Sequence, residues 1–130
     1  MNFGAATIPL GDAEQPIRDV ISLSVANDPL EDLDEVIDLI GRKEATCWLI
    51  SEGTKLVGVV VTELLKTRTG KQCFIRHCAG EDIKNWFHYL ETIETWARSE
   101  GCDSIELIGR PGWERMLGWH KQAVVLRKAL

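Results

Sequence analysis

"QCFIRHCAGEDIKNWFHYLETIETWARSEGCDSIELIG", residues 72–109, decides the fold. "QCFIRHC" (72–78) reads as a strand. Asp82 to Glu100 reads as the longest helix of the chain. Ile83, Trp86, Phe87, Leu90, Ile93 and Ala97 form its apolar stripe, and Tyr89 and Trp96 widen it. Gly101 ends the helix, and "DSIELIG" (103–109) is the next strand. A strand, a helix and a strand in that order imply a right-handed crossover and a parallel pair.

Upstream, "TCWLIS" (46–51) and "KLVGVVVTELL" (55–65) are strands rich in β-branched and aromatic residues, joined by the hairpin turn "EGTK" (52–55). "KTRTGK" (66–71) turns the chain again, so three antiparallel strands precede the long helix. The run "LVGVVV" predicts a central strand buried on both faces. Two helices come earlier. In the first, Asp12 can cap and Pro16 suits the first turn, with Ile17, Val20, Ile21, Ser24 and Val25 at helical spacing. Asn27-Asp28-Pro29 stops it. The second runs from Leu30 to Ile40, with Leu33, Val36, Ile37 and Ile40 on one face and Gly41 at its end. Downstream, "RPGWERMLGW" (110–119) predicts a short helix begun by Pro111 and ended by Gly118, and "QAVVLRKAL" (122–130) a closing strand. The expected fold class is α/β with a mixed sheet (α+β in character), in the order α-α-β-β-β-α-β-α-β with one parallel crossover. At 130 residues with no internal repeat, a single domain over 1–130 is expected.

Composition is that of a globular chain, 45% hydrophobic and 27% charged, large enough to bury a core without disulfides or metal. The longest apolar run, Leu56 to Val61, is strand length and far short of a membrane span. The first residues lack a basic start and a long apolar stretch, so no signal peptide and no membrane partner are expected. Net charge is −5, unevenly spread: residues 1–41 hold nine acids and one base, residues 110–130 five bases and one acid. Two solvated faces or an interaction surface would each produce this pattern. Overall acidity argues against nonspecific nucleic-acid binding. Cys47, Cys73, Cys78 and Cys102 include no CxxC pair, as in a reduced protein with semi-buried thiols. No metal site is expected. Cys73 and His77 would share one strand face, but four residues along a strand is about 13 Å, too far for one ion.

The element order resembles the GCN5-related N-acetyltransferase (GNAT) fold. "IETWARSEGCDSIEL" (93–107) is similar to that family's helix end and following strand, and "WERMLGWHKQAVVLRKAL" (113–130) to its late helix and final strand. More narrowly, residues 81–117 resemble small GNAT-like proteins of tailed bacteriophages. The shared features are the acidic helix start, Trp86 in its first turn, "WARSEGC" (96–102) and "GRPGWER" (109–115). In that group an enzyme activity is generally not clear, and some members belong to the phage particle or its assembly. The resemblance therefore implies phage origin, a place in the host cytoplasm or the particle, and phage structural proteins as partners.

The GNAT likeness also implies where acetyl-CoA would bind. The family holds the cofactor's pyrophosphate on backbone N–H groups of a Gln/Arg-x-x-Gly-x-Gly/Ala loop at a helix N-terminus. Arg76 fits the first position, but Ala79 and Glu81 stand where the two glycines belong, and Gly80 is one place off. Glu81 and Asp82 would occupy the positive helix tip as first-turn acids, and a cofactor anion would meet like charge. No cofactor is therefore expected. If acetyl-CoA binds nonetheless, the amides of Cys78, Ala79 and Gly80 would receive it. The family commonly uses a Tyr on the late helix as general acid; Glu114, flanked by Trp113, stands there, and an ionised glutamate donates poorly. For a base, His77 and Glu63 are weak candidates, and a lone strand histidine such as His77 is more often a packed or hydrogen-bonded structural residue. His77 and Cys78, adjacent on a strand, point to opposite faces and form no nucleophile pair. Trp113 and Trp119 either fill the end of the sheet or, with Arg110 and Arg115, anchor a protein partner. Two functions follow: a non-catalytic structural or assembly protein with a degenerate cofactor loop, or an N-acetyltransferase with divergent cofactor contacts.

Overall fold

A computed structural model describes residues 1–25, 30–109 and 112–130. Among them, five strands form one sheet in the order β1-β2-β3-β4-β5. The strands are β1 (Asn2–Ala5), β2 (Thr46–Glu52), β3 (Lys55–Lys66), β4 (Lys71–Gly80) and β5 (Ser104–Leu107). The helices are α1 (Glu14–Val25), α2 (Leu33–Gly41), α3 (Ile83–Trp86), α4 (Leu90–Ser99) and α5 (Trp113–Leu117). Strands β1 to β4 pair antiparallel; β4 and β5 pair parallel across the α3–α4 crossover. The fold is thus the mixed α/β sheet expected from the sequence.

Strand β3 is buried on both faces, as "LVGVVV" implies. Val59 and Val61 pack with Ile17, Ile21, Val36, Ile37 and Ile40 of α1 and α2. Val57 and Val60 pack with Trp86, Leu90, Ile93 and Ala97 of α3 and α4. Helix α2 starts later than Leu30, because the Asp32 carboxylate caps it by accepting from the Asp34 amide at 2.9 Å. Asp12 caps nothing: it lies inside a 3-10 turn, Gly11–Ala13, that leads into α1. Asn27, Asp28, Pro29, Arg110 and Pro111, each given a role from the sequence, lie outside the described residues.

Three expectations change. The helix expected over 82–100 is interrupted: α3 ends at Trp86, whose φ of −129° leaves the helical region, and a 3-10 turn, Phe87–Tyr89, connects it to α4. An additional strand, β1, pairs with β2, and Phe3 stacks on Trp48 with ring centroids 5.5 Å apart. The closing strand does not form: residues 119–130 have no regular structure, and β5 ends the sheet. Their β-branched sequence suits a strand, but strand propensity is realised only where an edge is paired. Among the described residues no helix is long and apolar enough to cross a membrane.

Candidate functional site

Strand β4 carries an irregularity that organises the polar residues around it. Its register with β3 shifts between Val61↔His77 and Thr62↔Ile75, so Arg76 is an extra residue on β4. Cys73 and Ile75 face the α3–α4 core, and after the bulge Cys78 does too. Arg76 and His77 both reach Glu31, in the connection between α1 and α2. The bulge thus overturns the expectation that Cys73 and His77 share a face.

Glu31 is the hub. Its two oxygens accept from Arg76 Nη2 at 2.8 Å and Nε at 3.2 Å, a fork geometry, and Oε2 also lies 3.0 Å from His77 Nε2. Arg76 Nη1 reaches Glu63 Oε1 at 3.3 Å, and Glu35 Oε1 lies 3.8 Å from Nη2. His77 Nδ1 is 2.9 Å from Ser24 Oγ. Both ring nitrogens therefore have a polar neighbour, and which of them donates depends on where the ring carries its proton. Burial alone would push the Glu31 carboxyl up. Hydrogen bonds and charge from Arg76, the Asp32 amide and His77 outweigh it and hold the group below its ordinary value of 4.5. The bonds from Glu31 in turn raise Arg76, against desolvation. His77 is only 5% exposed. A base must reach its proton; this imidazole is occupied on both nitrogens and shielded from solvent.

Beyond the bulge, β4 closes onto β3. Gly58 and Gly80 are register partners. A Cβ on Gly58 would meet the Trp86 ring at 2.6 Å, and one on Gly80 would collide with the Val57 carbonyl. Gly80 also has φ +143°, which side-chain-bearing residues avoid. The Glu81 amide donates to the Val57 carbonyl at 2.9 Å, and Trp86 Nε1 donates to the Glu81 carbonyl at 2.7 Å. The close approach that these glycines permit is therefore to protein. Glu81 and Asp82 precede α3 instead of filling its first turn. Glu81 pairs with Lys55 at 3.0 Å, and Asp82, at the N-cap with φ +51°, makes no side-chain cap. The expectation of acids stabilising this helix tip is corrected on both counts.

Because Glu81 bonds to Val57 and bonded pairs alternate along an antiparallel ladder, the amides of Cys78 and Gly80 turn away from β3, toward the β5 side. There β5 stops at Leu107, opposite Ile75. Residues 76–80 therefore project past the parallel pairing as one wall of an open splay. Ala79 is buried, and the Cys78 side chain packs on the α3–α4 core.

The remaining candidates lie elsewhere. Glu114, Trp113 and Trp119 line a cavity of about 460 Å³ between the end of β5, α5 and the C-terminal segment, together with Leu107 and Leu117. Trp119 and Leu117 also pack against the core, while Arg115 is exposed. Glu63 joins the Arg76 hub; Glu114 belongs to the cavity. Burial pushes the thiols of Cys47 and Cys78 up to about 12 and that of Cys73 to about 11, so none is a nucleophile at neutral pH. Among the described residues no cluster of His, Cys, Asp and Glu is arranged to hold a metal ion. Ser24 and Glu31 escape sequence reasoning because they lie 53 and 46 residues from His77. The one local signal is an acid shortly before a helix start.

No family model and no curated protein matches this chain. Solved structures do. Glucosamine-6-phosphate N-acetyltransferase from Arabidopsis thaliana is 15% identical, with 99% of each chain covered and a TM-score of 0.70. An acetyltransferase of Trypanosoma brucei is 13% identical over 99% of this chain and 100% of that one, with a TM-score of 0.71. A predicted acetyltransferase from Clostridium acetobutylicum, solved with acetyl-CoA, is 11% identical over 98% and 95%, also at 0.71. At such identities the likeness speaks to architecture: this chain has the GNAT acetyltransferase fold.

Proposed function

We propose that the chain uses this fold as a non-catalytic scaffold that binds a protein partner. The observation that carries the reading is the closed corner between β4 and α3. The Glu81 amide bonds to Val57, the Gly80 backbone packs on β3, and the Trp86 ring fills the space over Gly58. An anion-binding turn needs its amides turned outward, and the Glu81 amide, spent on Val57, is one donor fewer for a cofactor pyrophosphate. The two candidate bases, His77 and Glu63, are tied into the Arg76–Glu31 hub, where they brace β4 against the α1–α2 connection. The partner surface we assign comprises Trp113, Arg115 and Trp119, a Trp–Arg combination favoured in protein contacts. The likeness of residues 81–117 to small tailed-phage proteins supports a structural or assembly partner from a phage particle. Calorimetric titration with acetyl-CoA tests the reading. No heat and no thermal shift at about 1 mM ligand are expected, whereas a bound cofactor at 100 times its Kd would stabilise the fold by about 2.7 kcal/mol.

One observation favours a second reading, an N-acetyltransferase with unusual contacts. Residues 76–80 line an open splay, with the amides of Cys78 and Gly80 turned into it. If acetyl-CoA binds there, Glu81→Gly strengthens binding by removing a carboxylate from the edge of the site. Weaker binding by that variant would refute the repulsive role given to Glu81.

A further inference from the structure

Ser24, His77 and Glu31 come from three parts of the chain and meet in the order that an activated serine requires. Ser24 Oγ lies 2.9 Å from His77 Nδ1, and His77 Nε2 lies 3.0 Å from Glu31 Oε2. A hydroxyl within reach of a base, with that base held by a carboxylate, is the arrangement that turns a serine into a nucleophile. Other helical hydroxyls bond back to their own helix: Ser22 to the Asp19 carbonyl, Thr95 to that of Glu91 and Ser99 to that of Trp96. Ser24, on α1, turns to an imidazole instead. His77 is too enclosed to take a proton from a free substrate, but the Ser24 hydroxyl is already in contact with it, and Ser24 itself is only half-buried.

We infer that Ser24 is a nucleophile that takes one acyl group from an activated ester, with His77 as its base and Glu31 as the residue that positions the ring. Oγ attacks the ester carbonyl carbon and the hydroxyl proton passes to Nδ1. The bond between that carbon and the leaving oxygen then breaks, and the departing group takes up the proton. The tautomer this needs carries the ring proton on Nε2, toward Glu31. The imidazolium forms within a cluster that holds the carboxylates of Glu31, Glu35 and Glu63 against the single guanidinium of Arg76, an excess of negative charge that favours it. Glu31 is ionised at neutral pH, since its carboxyl is held below 4.5. Hydrolysis of the acyl-serine would need a water on Nδ1, and a ring 5% exposed behind the acylated side chain excludes it. The product is an acyl-protein formed once per chain, which is compatible with a scaffold that turns nothing over and independent of whether acetyl-CoA binds. Leu23 and Leu30, next in sequence to Ser24 and Glu31, are 59% and 74% exposed, which suits a short apolar acyl chain.

Reaction of the full chain with p-nitrophenyl butyrate, followed by peptide mapping in the mass spectrometer, tests it. One butyryl group on Ser24 is expected, and Ser24→Ala should lose that adduct while keeping its fold. His77→Gln keeps a polar side chain but is no base, and should slow acylation of Ser24 by about 10²–10⁴-fold with unchanged far-ultraviolet dichroism. The rate at Ser24 in the parent should rise with pH and level off once the imidazole is neutral, whereas an unactivated hydroxyl follows hydroxide without a plateau. A purely structural hydrogen bond would not produce that plateau, so the profile decides alone where His77→Gln does not fold. Butyryl groups confined to lysines or Cys102 overturn the inference. So does a Ser24 rate that is unchanged in folded His77→Gln, or one that rises with pH without levelling.

Discussion

Replacing Glu31 by glutamine removes the charge that holds Arg76 and His77 together while leaving the side chain's size almost unchanged. Glu31 gives Arg76 two charge-assisted bonds and contacts a histidine that is 5% exposed. Breaking one partner of a buried pair costs about 3–5 kcal/mol. The pair here is 12% and 19% exposed, and Arg76 keeps Glu63 at 3.3 Å and Glu35 at 3.8 Å, so the cost falls below that range. About 2–3 kcal/mol remains, each charged hydrogen bond being worth about 1.5–3 kcal/mol. In urea, with a slope of about 1–3 kcal/mol/M, the midpoint should drop by about 0.7–3 M. A cycle with Arg76→Met should return a coupling of about 1–2 kcal/mol between the two positions. A midpoint within error of the parent, or zero coupling, would refute the hub as a brace for β4.

Four further outcomes follow from particular positions. Gly58→Ala pushes a methyl into the Trp86 ring and should destabilise by about 1–3 kcal/mol. Gly4→Ala, in open space at ordinary φ, should stay within about 0.5 kcal/mol, both read by denaturation with tryptophan fluorescence. Cys47, Cys73 and Cys78, with thiols raised to between about 11 and about 12, should react with a disulfide reagent at pH 8 only after denaturant is added. Because the Glu31 carboxyl titrates below 4.5 in the fold, its contribution is complete above that pH and is lost as pH falls through the lower folded value. Acid unfolding of Glu31→Gln should accordingly be less steep than that of the parent.

The order of the four strands β2 to β5 was legible because its signals are local. "LVGVVV" marks a doubly buried strand, "EGTK" a hairpin, and Gly101 the turn back to β5. What stayed hidden depends on contacts between distant residues. The Arg76 bulge has no composition of its own; it appears only when β4 is set against β3, and it reverses the facing of every later residue on the strand. Strand β1 was invisible because "NFGA" lacks alternation and owes its place to Phe3 stacking on Trp48 and Tyr89. The interruption at Trp86 was masked by a stripe that is helical on either side of it. Glu81 and Asp82 were readable as acids near a helix, but their placement before it, with Glu81 bonded to Val57 and Lys55, was not.

Both irregularities of β4 act in one direction. The bulge turns Arg76 and His77 onto Glu31, which fixes the strand from the α1–α2 side. The Gly58–Gly80 pair then lets Trp86 and the Glu81 amide lock its end from the α3 side. A strand that must admit a ligand beside its end needs backbone groups held in reserve, and each bond spent within the protein removes one. Here the outward amides of Cys78 and Gly80 are what remains on the open side. Whether acetyl-CoA binds therefore turns on those two donors facing the splay, set against a carboxylate at position 81 that Lys55 neutralises only at an exposed surface, where such a pair is worth about 0–1 kcal/mol. Lys55→Ala frees that carboxylate without touching the splay. It should leave stability within about 0.5 kcal/mol and, under the acetyltransferase reading alone, weaken acetyl-CoA binding.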